Sequence, residues 1–137
     1  MKALTFRLGQ FAIGALLLTV LFRYTLNLCI GAQTLVGTIA CSIAYFCLMY
    51  FTGWYFGQKE EREYDIYDIG FRYHLTTYVI CVAVGFAAHY AGWHTESIVA
   101  LAATATFWGI GVLIHFILFI AERKKTIKGY ARDEIFQ

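Results

Sequence analysis

Four apolar runs, separated by short polar segments, constrain this chain more than any other feature. They occupy residues 8–30, 35–55, 74–90 and 98–121. Spanning the ~30 Å hydrocarbon core of a bilayer takes about 20 mostly apolar residues in a helix, and each run is close to that length. A water-soluble domain is a poor alternative. Of the 137 residues 60% are hydrophobic and 15% charged, and a small domain leaves too much of its surface exposed to hide that much apolar area. The absence of proline fits unkinked helices. Backbone facing lipid must be helical to satisfy its own hydrogen bonds. The expected fold is therefore an all-α membrane protein with four transmembrane helices.

The first run resembles a secretory signal, with Lys2 and Arg7 ahead of it. No A-x-A cleavage pattern follows, and Arg23, Tyr24 and Asn27 stand where one would fall, so an uncleaved anchor helix is expected. The breaks at 31–34 and 91–97 are short, which makes each consecutive pair of helices an antiparallel hairpin. The resulting plan is a first hairpin over 1–57, an interfacial loop over 58–72, a second hairpin over 73–121 and a basic tail over 122–137.

Charge sets the expected orientation. Lys2, Arg7, Lys59, Arg62, Arg72, Arg123, Lys124, Lys125, Lys128 and Arg132 all fall on one side of a four-span layout. Arg23, His89, His94 and Glu96 fall on the other. Loops rich in Lys and Arg stay cytoplasmic, so both termini and the central loop are placed inside. That loop, "GQKEEREYDIYDIGFR", offers five acids to a partner, and Tyr64, Tyr67 and Phe71 recur along it at helical spacing, as an interfacial face would. Arg123, Lys124, Lys125 and Lys128 would meet anionic lipid or a partner. Gly129 is the expected end of the last helix.

Ionisable groups inside a span are costly and mark functional candidates. His115 lies in the fourth run on a stripe with Thr104, Trp108 and Gly111, where Gly111 would let another helix approach. His74, Tyr78, Cys81, Gly85 and Ala88 form a matching stripe in the third run. The two stripes are expected to face each other, with Tyr78 near His115. His115 then has three possible roles: a packing hydrogen bond, a titrating switch, or haem or metal ligation shared with His74. Against haem, the two histidines lie about a turn or two apart in depth along helices of 5.4 Å pitch.

Arg23 and Asn27 share a face near the end of the first run. The arginine either snorkels to headgroups or contacts an anion or pore. His89, His94 and Glu96 around Trp93 read as a solvated turn, with a cation site as the alternative. Gly53 and Gly57 form a G-x-x-x-G step that permits close helix crossing, extended by Gly37, Cys41 and Ala44. Cys29, Cys41, Cys47 and Cys81 lack C-x-x-C spacing and read as small apolar residues. No H-E-x-x-H, G-x-S-x-G or phosphate-binding glycine loop is present, and no acidic residue lies in the middle of any run, which argues against intramembrane proteolysis, nucleotide hydrolysis and a carboxylate-driven transporter; neither an enzyme nor a nucleic-acid partner is expected.

The run "YDIGFRYHLTTYVI" followed by "FWGIGVLIHFILFIAERK" resembles the bacterial two-transmembrane (2TM) domain family. The resemblance rests on Phe71, Tyr73, His74 and Leu75, then Trp108, Gly109, Ile110, Gly111 and His115, with Val112 where the pattern has leucine. It covers residues 66 to 128. It implies a membrane-embedded sensory, anchoring or assembly role in the bacterial inner membrane and transfers no enzymatic activity. The expectation is a non-enzymatic, multi-pass protein without a cofactor, in contact with lipid, with a cytoplasmic partner and with itself or another chain as an oligomer. The alternatives are an oligomeric pore or membrane-disrupting effector, and a small haem- or quinone-associated subunit.

Overall fold

A computed structural model describes residues 5–63, 69–93 and 96–129, with side chains described as far as residue 121. The described residues form four helices: α1 (Phe6–Gly31), α2 (Leu35–Glu63), α3 (Ile69–Tyr90) and α4 (Ile98–Gly129). Each is long and apolar enough to cross a membrane. The chain is an all-helical protein of multi-pass membrane type.

The helix ends follow from local chemistry. Thr5 caps α1, its hydroxyl accepting from the Leu8 amide at 3.2 Å; such a cap satisfies an amide that the first turn leaves unpaired. Ser97 does the same for α4, accepting from Ala100 N at 3.2 Å. Both α1 and α3 stop in the same pair of bonds. Gln33 N reaches Ile30 O and Thr34 N reaches Cys29 O, while Gly92 N reaches His89 O and Trp93 N reaches Ala88 O. These are Schellman closures, in which the residue after the cap turns left-handed. Gly92 does so at φ 88°, whereas Gln33 does so at φ 55° with a Cβ in the way.

Side-chain contacts run in opposite directions along each consecutive pair. Arg7 meets Glu63, Thr19 meets Tyr45 and Thr25 meets Cys41 between α1 and α2. His74 meets His115, Tyr78 meets Ala105 and His89 meets Glu96 along α3 and α4. Between the pairs, α1 lies on α3 and α2 grazes α3, while α4 touches α3 alone among the described helices. Helices α1, α2 and α3 thus cluster together, with α4 attached at the edge through α3.

The core is small and sits where α1, α2 and α3 meet, near the start of α1. Leu8, Phe11, Ala15 and Tyr73 are buried there, flanked by Met49, Phe56, Ile69 and Ile80. Outside it, large apolar side chains face outward all round; Val36 is 80% exposed and Phe107 77%. In water such patches would drive aggregation. In lipid they are the solvated surface.

The loop expected over 58–72 is much shorter. Residues 58–63 continue α2 and residues 69–72 begin α3, which leaves 64–68, with Tyr64 and Tyr67, outside the described residues. The helical register explains the difference. The inward positions of α2, Tyr45, Met49, Gly53, Phe56 and Glu60, keep their three-to-four spacing straight through the first charged turn.

Candidate functional site

The α3–α4 seam carries the best-formed polar group. Trp108 Nε1 donates to His74 Nε2 at 2.9 Å, and His74 Nδ1 lies 3.4 Å from His115 Nδ1. Indole nitrogen only donates, so His74 Nε2 must accept and the proton of neutral His74 sits on Nδ1. That proton points at His115 Nδ1, which accepts it over a long bond and leaves the His115 proton on Nε2. The three side chains form one directed chain, from Trp108 through His74 to His115.

Aromatic rings enclose this chain. Phe71 stands edge-on to His115 at 5.6 Å and stacks on Phe119 at 5.8 Å, while Tyr78 meets Trp108 edge-on at 5.7 Å. Tyr78 OH donates to Ala105 O at 3.1 Å. A Cβ on Gly109 would come within 2.9 Å of that hydroxyl, while one on Gly111 would meet nothing within 4 Å.

Several expectations change here. The two stripes do face each other, but His74 rather than Tyr78 meets His115, because Tyr78, one turn further along α3, lies opposite Ala105 and Trp108. The glycine of close approach is Gly109. Gly111 lies on the open side of α4, whose inward residues are Leu101, Ala105, Trp108, Val112 and His115. The bond geometry also speaks against haem or metal between the histidines. A porphyrin does not fit between nitrogens 3.4 Å apart, and His74 Nδ1 has no lone pair to give a metal while Trp108 holds Nε2. Among the described residues, no three His, Cys, Asp or Glu side chains converge on a point.

A second polar group ties α1, α2 and α3 at mid-length. Thr19 Oγ1 lies 2.9 Å from Tyr45 OH, which lies 3.1 Å from Cys81 Sγ. Phe22 stacks on Tyr45 at 4.3 Å. Cys81 therefore takes part in a hydrogen-bonded trio, beyond the apolar filler expected of it. Thr25 and Cys41 lie 3.0 Å apart in the same style.

At the turn end, Arg23 pairs with Glu96, so the arginine is engaged within the chain. Asn27, expected to share its face, makes no hydrogen bond to it. Gly85 creates the space: a Cβ there would lie 2.9 Å from Arg23 Nη2 and 3.2 Å from Leu101. His89 Nδ1 lies 3.2 Å from Glu96 O; His94 is outside the described residues.

Near the start of α1, Glu60 is fully buried. Its Oε1 accepts from Thr5 Oγ1 at 2.5 Å and from Arg72 Nη1 at 3.0 Å, joining the first turn of α1, the last of α2 and the first of α3. Glu60 Oε2 and Tyr73 OH are buried without a hydrogen-bond partner among the described residues. Arg7 holds Glu63 through Nε at 2.9 Å as well as through Nη2. Two of the five loop acids are thus occupied internally rather than offered to a partner. Composition had marked Glu60 as loop; the inward register of α2 was the signal that could have found it.

Gly53 and Gly57 face neighbours within the chain. Cβ atoms there would lie 3.8 Å from Phe11 and 3.9 Å from Ile69, while Ala44, expected on the same face, points outward. Arg123, Lys124, Lys125 and Lys128 fall on the helical continuation of α4 past Ala121, with their side chains outside the described residues. Comparison with known protein families, curated proteins and solved structures finds no match to this chain.

Proposed function

We propose that the chain is a non-enzymatic integral protein of the bacterial inner membrane, with both termini cytoplasmic, that serves a packing, anchoring or sensory and assembly role like that implied by the 2TM resemblance. The observation that carries this reading is the division of labour around α4. One side is tied to α3 by the Trp108–His74–His115 chain, and the rest of its circumference is apolar and open, with Phe107, Ile110, Leu113, Ile114 and Ile117 exposed. A helix fixed on one side and open on the other suits assembly with another transmembrane helix, its own copy or a different chain. The basic continuation of α4 and residues 64–68 are the segments left for a cytoplasmic partner.

Extraction in mild detergent followed by native mass measurement tests the reading. The expected result is a defined complex heavier than one 15.6 kDa chain. A monodisperse single chain that conducts ions in liposomes, with the conductance lost on His115→Ala, would replace it with the pore reading.

A further inference from the structure

Polar contacts hold α4 at two levels. Its first half is fastened by Arg23 to Glu96, by His89 Nδ1, 3.2 Å from Glu96 O, and by Tyr78 OH, 3.1 Å from Ala105 O. Its second half is fastened by the Trp108–His74–His115 chain, beside the packing of Phe71 on Phe116 and Phe119. Only the second fastening uses both nitrogens of one histidine, one to accept and one to donate. His89 donates from Nδ1 to a carbonyl, which a charged ring does equally well.

The second fastening has no place for a further proton. With both rings neutral, His74 accepts from Trp108 on Nε2 at 2.9 Å and donates from Nδ1 toward His115 Nδ1 at 3.4 Å. A proton added at His74 Nε2 meets the indole N–H head on. One added at His115 Nδ1 meets the His74 Nδ1–H, and moving that hydrogen round to Nε2 relieves this clash only by creating the other. Every singly charged arrangement of the rings as they stand therefore loses one of the two bonds. A doubly charged pair loses both and adds the repulsion of like charges. Among the described residues no carboxylate lies within ion-pair distance of either ring. Phe71 and Tyr78 of α3 and Trp108, Phe116 and Phe119 of α4 surround the pair; of these only Tyr78 titrates, and its hydroxyl is engaged with Ala105 O. On the neighbouring elements, Arg72 is paired with Glu60 of α2 and Arg7 of α1 with Glu63.

We infer that the His74–His115 pair is a proton-operated latch: one added proton undoes the second fastening and lets α4 swing away from α3 about the first. The released arrangement accommodates the proton, because an imidazolium freed from the seam can turn both N–H groups to water or headgroup oxygens. A proton that one arrangement accommodates and the other does not shifts the balance between them, so falling pH drives release. The pair is within reach of interfacial water, since His74 stands five residues into α3, about 7.5 Å from its start. The inference rests on the membrane reading above and names the signal of its sensory role.

The test uses the full chain in phosphatidylcholine vesicles, diluted with unlabelled chain so that only distances within one chain are read. Serine replaces Cys29, Cys41, Cys47 and Cys81, which keeps a hydrogen-bonding atom at each. Trp54→Cys on α2 and Ile117→Cys on α4, both exposed positions, carry nitroxide labels. Ile117 lies about 18 Å along α4 from Ala105, so a swing of about 10° moves it by about 3 Å. Between about pH 8 and about pH 5, where imidazoles change charge, the 54–117 separation should shift by at least about 3 Å. A second pair, Trp54→Cys with Val99→Cys, should keep its distance. The variant His74→Gln with His115→Asn retains an acceptor for Trp108 and an amide contact between the helices without titrating, and should hold the high-pH distance throughout. Histidine ¹⁵N spectra of the same samples report whether the pair is charged. A charged pair with an unmoved label at 117, a pair still neutral at about pH 5, or the same acid shift in the double variant each overturns the latch. A chain that stays out of the vesicles overturns the membrane reading and the latch with it, whereas an unmoved label in an inserted chain overturns the latch alone.

Discussion

Trp108 fixes the tautomer of His74 from across the α3–α4 seam: its indole N–H, 2.9 Å from Nε2, leaves Nδ1 as the nitrogen that must carry the proton. The relation has a spectroscopic consequence. In the wild-type chain, ¹⁵N spectra of bilayer samples should show one histidine protonated on Nδ1 and its partner protonated on Nε2. Trp108→Phe keeps a ring but removes the donor, so His74 should then populate both tautomers. An unchanged spectrum in that variant would contradict the directed chain.

Glu60 offers a sharper energetic test. Removing one member of a buried ion pair leaves the other uncompensated and costs about 3–5 kcal/mol. Glu60→Ala should therefore destabilise the chain by about 3 kcal/mol in denaturant titration of the detergent-solubilised protein. Glu60→Gln retains an acceptor for Thr5 and Arg72 and should cost less. The double variant Glu60→Met with Arg72→Met should recover part of the loss, since an apolar replacement removes the buried pair as a unit. A double variant as unstable as Glu60→Ala would show that the cluster does not work as a pair.

Two glycines in one stretch of α4 should respond in opposite ways. A methyl group on Gly109 meets Tyr78 OH at 2.9 Å, displacing the hydroxyl from Ala105 O. Gly109→Ala should lower stability by about 1–3 kcal/mol, the usual cost of overpacking. Gly111→Ala enters open space and should fall within about 0.5 kcal/mol of wild type. Thermal unfolding in detergent reads both, and a reversed order would displace the helix register described for the seam.

Gln33 holds a left-handed backbone at φ 55° in the turn after α1. A side chain in that region costs roughly 1 kcal/mol relative to glycine. Gln33→Gly should thus stabilise the chain by a fraction of that amount, up to about 1 kcal/mol. A clear loss of stability in the same assay would mean that the Gln33 side chain contributes contacts of its own.

The proposed orientation is testable without purification. Reporter fusions after residue 137 and within residues 64–68 should report the cytoplasm, and fusions at residues 32–34 the opposite side. Replacing Arg123, Lys124, Lys125 and Lys128 with Gln should weaken this bias, because about 1 kcal/mol of attraction to anionic lipid is lost per base. A topology unaltered by all four changes would place the orientation signal elsewhere.

The architecture was legible because its cause is one-dimensional. A bilayer demands a run of apolar residues, and four such runs can be counted in the chain. The facing of His74 and His115 was readable in part, since stripes at helical spacing must find a neighbour. Depth was harder. Whether Tyr78 or His74 meets His115 depends on helix offset and side-chain reach, which spacing alone does not encode. The closely packed glycine was misplaced from Gly109 to Gly111 for the same reason: two positions on a helix turn the residue through about 200° at 3.6 residues per turn. Glu60 was hidden by composition, because a charged stretch reads as loop until the tertiary partner Arg72 and the cap Thr5 are in place. Arg23 gave itself away as an oddity in the first span, but its partner Glu96 lies beyond two intervening helices.

The edge position of α4 has a mechanical side. A rod supported along a single line can rock about that line without compressing anything behind it, so the stiffness of its attachment is set by a handful of contacts, Trp108 to His74 foremost among them. Loosening that contact would free the fourth rod to tilt against the third, and a neighbour docked on its far flank would feel the lean directly.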